Sequence, residues 1–202
     1  MGLRIILASG SPRRAEILDR LGIEYQVRAQ DVDESLAAGE HPGVAAERLA
    51  RVKAEKAARA GFLSIGCDTL VAFEGHVLGK PLSAEHAREM LARLAGREHV
   101  VYTGVAVAAG DRTESAVERT RVWFRHLDAG QIGEYVQTGE PLDKAGAYGI
   151  QGFGAAIVQG VEGDFFNVMG LPVLRMLELF GRYGWRYAFQ GWVRTEGEDD
   201  DR

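Results

Sequence analysis

Cysteine is nearly absent from the 202-residue chain: Cys67 stands alone, which excludes an intramolecular disulfide and a cysteine-built zinc cage and suits a reducing compartment. No apolar run approaches the ~20 residues a membrane-spanning helix needs, so no membrane partner is expected. The opening residues pass almost directly into Leu3–Ala8, which leaves no room for a secretory leader, and a cytoplasmic protein is expected. A basic excess is missing too. The formal net charge is −5, which argues against a nucleic-acid partner. Part of that acidity is the run Glu196-Gly197-Glu198-Asp199-Asp200-Asp201, expected to be a solvated, disordered end. His41, His76, His86, His99 and His126 show no zinc-ligand spacing. There is no G-x-x-x-x-G-K-[ST] loop, no G-x-G-x-x-G following a strand and no G-x-S-x-G elbow. An anionic ligand would therefore have to be held by a local cluster of lysines and arginines.

What remains is an alternation of strand-like and helical segments, the pattern of an α/β protein. Leu3–Ala8 reads as a strand, and Ser11 with Pro12 as the start of a helix that Gly22 stops. Ile23–Arg28 reads as a second strand and the stretch from Pro42 to Ala60 as a long helix. Phe62–Cys67 is an apolar strand leading into Asp68-Thr69, and Glu74-Gly75 is a hairpin turn between Leu70–Phe73 and His76–Leu78. Ser83 caps the next helix. Glu98–Ala108 and Thr113–Leu127 are long strands, the second with Val117, Arg119, Arg121, Trp123 and Arg125 on one parity and no clear choice of buried face. Asp128 caps a short helix, Ala155–Val161 is a further strand, and Leu171–Phe180 is the last helix. No internal repeat and no clean linker appear, so residues 1–181 are expected to form one folding unit of two lobes, followed by an extension over 182–202.

Four places can carry chemistry. Ser9-Gly10-Ser11-Pro12-Arg13-Arg14 joins a strand to a helix start, where free backbone N–H groups, the helix dipole and two guanidinium groups suit phosphate; the same residues also fit a capped surface helix with solvated arginines. Asp68, at the expected end of an apolar strand, can hold a divalent cation or take a proton from water, or can simply satisfy a turn. Lys80 in Gly79-Lys80-Pro81, and Lys53 on the long helix, are possible phosphate contacts or solvated lysines. Glu140–Gly152 is a glycine-rich segment that suits close approach to a ligand, and the Gln151 amide within it can read a base edge; the segment is also compatible with a plain connection rich in turns. Asp164 and Asn167 could add a metal or ribose contact. Cys67 reads as a buried strand residue rather than a nucleophile.

As an ordered set these segments resemble the Maf family of septum-formation-type nucleotide pyrophosphatases. The resemblance runs from Leu7–Arg14 through Asp33-Glu34, Leu49–Ala54, Asp68-Thr69, Gly79-Lys80-Pro81, Tyr102–Val105, Asp143–Gly146 and Gly163-Asp164 to Val168–Pro172. It implies a mixed twisted sheet with flanking helices and a central cleft between two lobes, related to the inosine triphosphate pyrophosphatases (the Maf/Ham1-type fold). It also implies a cytoplasmic homodimer that requires a divalent cation, Mg²⁺ or Mn²⁺. By motif, Asp68 matches the family's proton acceptor, and Arg13, Thr69 and Gln151 match positions tied to substrate choice. Ser9, Arg14, Glu34, Lys53 and Lys80 match other substrate or metal positions, with Asp68 and Glu34 as the metal pair. Asp68-Thr69 with Gly149-Ile150-Gln151-Gly152 looks like the branch acting on dTTP and UTP, and modified pyrimidine nucleotides would fit the same branch. A neutral amide suits uracil or thymine, whereas a carboxylate would better suit the cationic base of 7-methyl-GTP. The alternatives are a specificity for 7-methyl-GTP or another modified nucleotide, or a non-catalytic nucleotide-binding regulator of cell division and septum formation. Two departures stand out: Cys67 replaces an alanine common before the aspartate, and the aromatics Trp185, Tyr187, Phe189 and Trp192 extend past the family pattern, to pack either on the core or at a dimer contact.

Overall fold

The first apolar run becomes strand β1 (Ile5–Leu7), followed by helix α1 (Pro12–Arg20) and a short strand β2 (Gln26–Val27). These belong to a computed structural model that describes residues 2–189 and 191–195, so the acidic run from Glu196 lies outside the described residues. Helix α2 (Pro42–Ala57) starts on His41, whose Nδ1 accepts from Gly43 N at 3.1 Å. Strands β3 (Leu63–Phe73) and β4 (His76–Leu78) form the expected hairpin, with Glu74 and Gly75 both at positive φ in the turn. After helix α3 (Ala84–Leu94) come the long strands β5 (Glu98–Ala109) and β6 (Arg112–Phe124), then helix α4 (Ala129–Gln137), closed by a capping box between Asp128 and Gln131. The glycine-rich segment folds into three 3₁₀ turns between Glu140 and Ala156. Strand β7 (Val158–Glu162), helices α5 (Phe165–Met169) and α6 (Val173–Gly181), and a hairpin of β8 (Trp185–Tyr187) and β9 (Trp192–Arg194) complete the described chain. No helix among the described residues is long and apolar enough to cross a membrane.

The sheet is mixed, in the order β2-β1-β3-β5-β6-β7, with β4 pairing β3 off that path. Strand β3 differs from the sequence expectation in one respect that matters. It does not end before Asp68 but runs on unbroken, because β5 pairs with it from Ser64 to Ala72. Alternation then sends its side chains to two different faces. Ile65, Cys67 and Val71 enter the main core beneath α1, α3, α4 and α6, whereas Gly66 and Asp68 face α2.

Helix α2 sits unusually close to the sheet. A Cβ added at Gly66 would lie 2.2 Å from the Ala50 carbonyl oxygen, and one at Gly104 would lie 2.1 Å from that of Ala46. The helix answers these glycines with Ala46, Ala50, Ala54 and Ala57, all fully buried. Small residues on both sides let the backbones approach, and that approach brings Lys53 down onto Asp68. On β6 the buried parity is Thr120, Val122 and Phe124, which leaves Arg119, Arg121 and Trp123 on the outer face.

The aromatic extension packs on the core. Trp192 stacks on Phe180 with ring centroids 4.5 Å apart, and the Tyr187 hydroxyl donates to Leu21 O at 2.5 Å, at the end of α1. Phe189 alone of the four expected aromatics stays largely exposed.

His99 is buried on β5, edge-on to Phe124 and Tyr148, with Nε2 at 2.8 Å from the Tyr148 hydroxyl. Burial pulls its pKa down from 6.5 to about 4. As pH falls the unfolded chain therefore binds this proton first. The stability His99 contributes is complete above its unfolded pKa and is lost as pH drops toward the folded value. Between pH 7 and pH 4.5 this one residue should remove roughly 2–3 kcal/mol. Urea titrations of His99→Gln over that range should show a correspondingly shallower decline than the natural protein; parallel curves would refute the assignment.

Candidate active site

Strands β1 and β4 share one edge of β3. The first runs parallel to it and pairs as far as Leu7 with Ile65; the second runs antiparallel and pairs as far as Leu78 with Val71. Both therefore finish, carboxyl end first, on either side of Gly66–Leu70, whose edge has no strand partner among the described residues. Ligands of α/β sheets gather outside the carboxyl ends of strands where the order switches. Here the ends are those of β1 and β4, and not, as the sequence suggested, that of the strand bearing Asp68. The segment leaving β1 carries Ser9, Arg13 and Arg14, and the segment leaving β4 carries Gly79 and Lys80.

A cavity of about 580 Å³ opens at this point, well within the ~300–1,000 Å³ usual for small-molecule clefts. Arg13, Arg14, Glu34, Lys53, Asp68, Thr69, Lys80 and Gln151 all contribute to its lining, and Ser9 lines the adjoining recess. The structure thus brings these nine residues to one cleft and its adjoining recess, each with a distinct part in the geometry, but it leaves Asp164 and Asn167 outside the lining of both.

Lys53 Nζ lies 2.5 Å from Asp68 Oδ1 and 2.6 Å from Glu34 Oε1, and it is 7% exposed. The ammonium thus sits where the two carboxylates converge and offsets their mutual repulsion. Asp68 Oδ2 has no hydrogen-bond partner among the described residues. A divalent cation here would find at most these two protein carboxylates, since no group of three or more acidic, histidine or cysteine ligands occurs among the described residues. That donor set fits Mg²⁺, which is commonly held by one or two carboxylates with water and substrate phosphates completing its shell.

On the opposite face, Arg14 is a strut. Its Nε donates to Gly170 O at 2.7 Å, Nη1 to Ser9 Oγ at 2.8 Å and Nη2 to Thr69 Oγ1 at 3.1 Å. Thr69 is 3.0 Å from Thr103 Oγ1, which itself donates to Asn167 O at 2.8 Å. The polarity of this chain is therefore set: Arg14 gives to Thr69, Thr69 to Thr103, and Thr103 to a carbonyl. Ser11 does not cap α1 through its side chain; its N–H donates to Ser9 Oγ at 3.2 Å. Arg13 is looser, 3.6 Å from Asp143 Oδ2 and partly exposed. Burial tends to raise the Asp143 carboxyl, but Lys144 and Arg13 outweigh it and hold that group below the usual carboxylate value. Lys80 makes no ion pair among the described residues.

Two expectations are corrected. Asn167 is fully buried and its amide donates to Val101 O and Thr120 Oγ1, so it braces the sheet and is not open to a ligand. Asp164 caps α5 by accepting from Phe166 N at 2.8 Å. Cys67 is sealed in the core, and burial pushes its thiol up to about 11, unfit for nucleophilic attack at neutral pH. Sequence reasoning gave Thr103 and Glu140 no role beyond the segments that contain them, and it missed Glu16 altogether. The last of these lies three residues beyond Arg13 on α1, a spacing that puts both on one helix face, and that was the available signal.

The sequence has counterparts among known proteins. The family model described as Maf-like protein matches residues 4–183. The dTTP/UTP pyrophosphatase of Moorella thermoacetica is 52% identical over 186 residues, covering 90% of this chain and 95% of the relative. That of Myxococcus xanthus is 50% identical over 182 residues, covering 89% and 92%. The structure of the Staphylococcus aureus Ham1 protein aligns with a TM-score of 0.44 and 17% identity over 77% of this chain and 79% of that one, a likeness too distant to bear on the site. With a family match that spans the sheet, the cleft and both arms that reach it, the chain belongs to the Maf-like protein family.

Proposed function

We propose that this protein hydrolyses dTTP and UTP to the monophosphate and pyrophosphate. One observation carries the reading: Asp68, whose Oδ2 is free among the described residues, and the cations Arg13, Lys53 and Lys80 line a single cleft together with the neutral amide of Gln151. The relatives named dTTP/UTP pyrophosphatase support the same substrates.

A triphosphate brings roughly four negative charges, so positioning and neutralisation dominate the chemistry. Water attacks the α-phosphorus, Asp68 accepts its proton at Oδ2, and pyrophosphate leaves with its growing charge met by Arg13 and Lys80. Lys53 holds the other Asp68 oxygen and so fixes the direction in which Oδ2 points. Ser9 and Thr69, tied together through Arg14, keep the segment after β1 in place against β3. Asp68 and Glu34 would hold the required cation, Mg²⁺ or Mn²⁺, which supplies charge neutralisation on the phosphates when bound. Residues 1–181 act as one two-lobed catalytic unit, with 182–202 as an extension, in a cytoplasmic homodimer that works on free nucleotides rather than on nucleic acid or membranes.

Pyrophosphate release from UTP, dTTP, CTP, ATP, GTP and 7-methyl-GTP with either metal tests the reading. UTP and dTTP should be the preferred substrates. Tight binding without release would leave a nucleotide-binding regulator in place of an enzyme, and a preference for 7-methyl-GTP would sink the base assignment while sparing the chemistry.

A further inference from the structure

The family match ends at residue 183, and the β8–β9 hairpin begins at Trp185. A two-stranded hairpin is marginal by itself, and this one forms a sheet separate from the main one, so its order comes from what it leans on. At its root the Tyr183 hydroxyl lies 2.8 Å from Val107 O on β5 and 2.9 Å from Arg112 O on β6. Trp192 stacks on Phe180 in the last turn of α6, and it meets Tyr187, its cross-strand neighbour, edge-on with ring centroids 5.5 Å apart. The Tyr187 hydroxyl in turn donates to Leu21 O at 2.5 Å, at the end of α1. One small unit thereby ties together the C-terminal ends of two helices.

The other ends of these helices meet at the cleft. Arg14, in the first turn of α1, donates from Nε to Gly170 O at 2.7 Å, three residues before α6 begins. Between its ends α1 has a light grip on the core: of its nine residues only Ile17 and Leu18 are buried, and Ser11 does not cap it with its side chain. A helix that short holds no shape in isolation, and tied at Arg14 alone it would be free to pivot. The second tie lies about 10 Å along the axis from the first, seven residues at ~1.5 Å each, and removes that freedom. The helix supplies much of one side of the site. Arg13 and Arg14 stand at its start, and Glu16 Oε2 lies 3.2 Å from Gln151 Nε2, in the segment that the Glu140 carboxylate pins through Phe153 N and Gly154 N. We propose that the hairpin is a positioning element for the phosphate grip, with Tyr187 as the residue that makes the tie: by holding the far end of α1 to α6, it keeps the Arg13–Arg14 start of α1 seated at the cleft. This rests on the triphosphate reading above.

The test uses the full chain with Tyr187→Phe, which keeps the ring, Tyr187→Ala, which loses ring and hydroxyl together, and Arg186→Ala on the exposed side of the same strand as control. Water can replace the lost hydroxyl at Leu21 O, but it cannot tie α1 to α6. Hydrogen exchange reads the helix; hydrolysis of UTP, and Kd for its α,β-imido analogue, which binds without being cleaved, read the site. In Tyr187→Phe the amides of Glu16–Leu21 should exchange about fivefold faster while those of β5 stay unchanged, KM and Kd should rise about fivefold, and kcat should stay within about twofold. Asp68 and Lys53 stand on β3 and α2, outside the tied pair of helices, which is why kcat is spared. Tyr187→Ala should exceed these effects, and Arg186→Ala should show none. Unchanged exchange in α1 would overturn the tie, and faster exchange with KM and Kd unmoved would overturn its part in the grip. Faster exchange spread equally over β5, or a fall in kcat alone, would mark a general loss of stability and overturn the proposal too. Should Tyr187→Ala fail to fold, Tyr187→Phe decides. A natural protein that binds the analogue but releases no pyrophosphate would instead defeat the hydrolase reading, while exchange and Kd would still decide the role of Tyr187.

Discussion

Asp68→Asn should lower pyrophosphate release by about a thousandfold and leave nucleotide affinity close to that of the natural protein. The substitution keeps the shape of the side chain and an oxygen for Lys53 Nζ, which also retains Glu34 at 2.6 Å. What disappears is a carboxylate able to take a proton from the attacking water and to help hold a cation. Because the cationic arms are untouched, the effect should fall on kcat rather than on Kd. Turnover within tenfold of the natural protein would remove Asp68 from the reaction and require another acceptor in a cleft that offers few.

The second large effect is structural in origin. Gly104 stands directly across the ladder from Asp68, and a methyl group there would meet the Ala46 carbonyl oxygen at 2.1 Å and Glu47 Cα at 2.6 Å. These are backbone atoms of α2, so no side chain can swing aside; the helix has to lift. Overpacking of this kind costs about 3 kcal/mol, and Gly104→Ala should show it as a lower urea midpoint. Lifting α2 also withdraws Lys53 from Asp68, so kcat/KM should fall by about tenfold or more, as displacements of an ångström do elsewhere. An unchanged midpoint would contradict the close seating of the helix.

Local chemistry made much of the fold legible in advance. Pro12, Ser83 and Asp128 mark helix starts, Glu74-Gly75 marks the hairpin, and alternation marks the long strands. Two things were not legible. The first is that β3 continues through Asp68, because that depends on the partner strand and not on the hydrophobicity of β3 itself. The second is the division of labour among the polar residues. Nothing local distinguishes Arg13 from Arg14, yet Arg14 is tied to Gly170, 156 positions away, while Arg13 faces the cleft. Glu16 and Gln151 are 135 positions apart. Most residues that line the cleft could be nominated from the chain, but the contacts among them required the fold.

The meeting of β1 and β4 along β3 has a consequence for how such a cleft can diversify. The two strands end head to head against a common rail, and their opposed directions prevent them from ever merging into one. The opening is therefore fixed by chain polarity, and no single side chain can close it. Residues inserted after Leu7 or after Leu78 would lengthen a cationic arm without shifting Asp68 on the rail. Reach into the cleft and the position of Asp68 are thus separate degrees of freedom, and variation can act on the first while the second stands still.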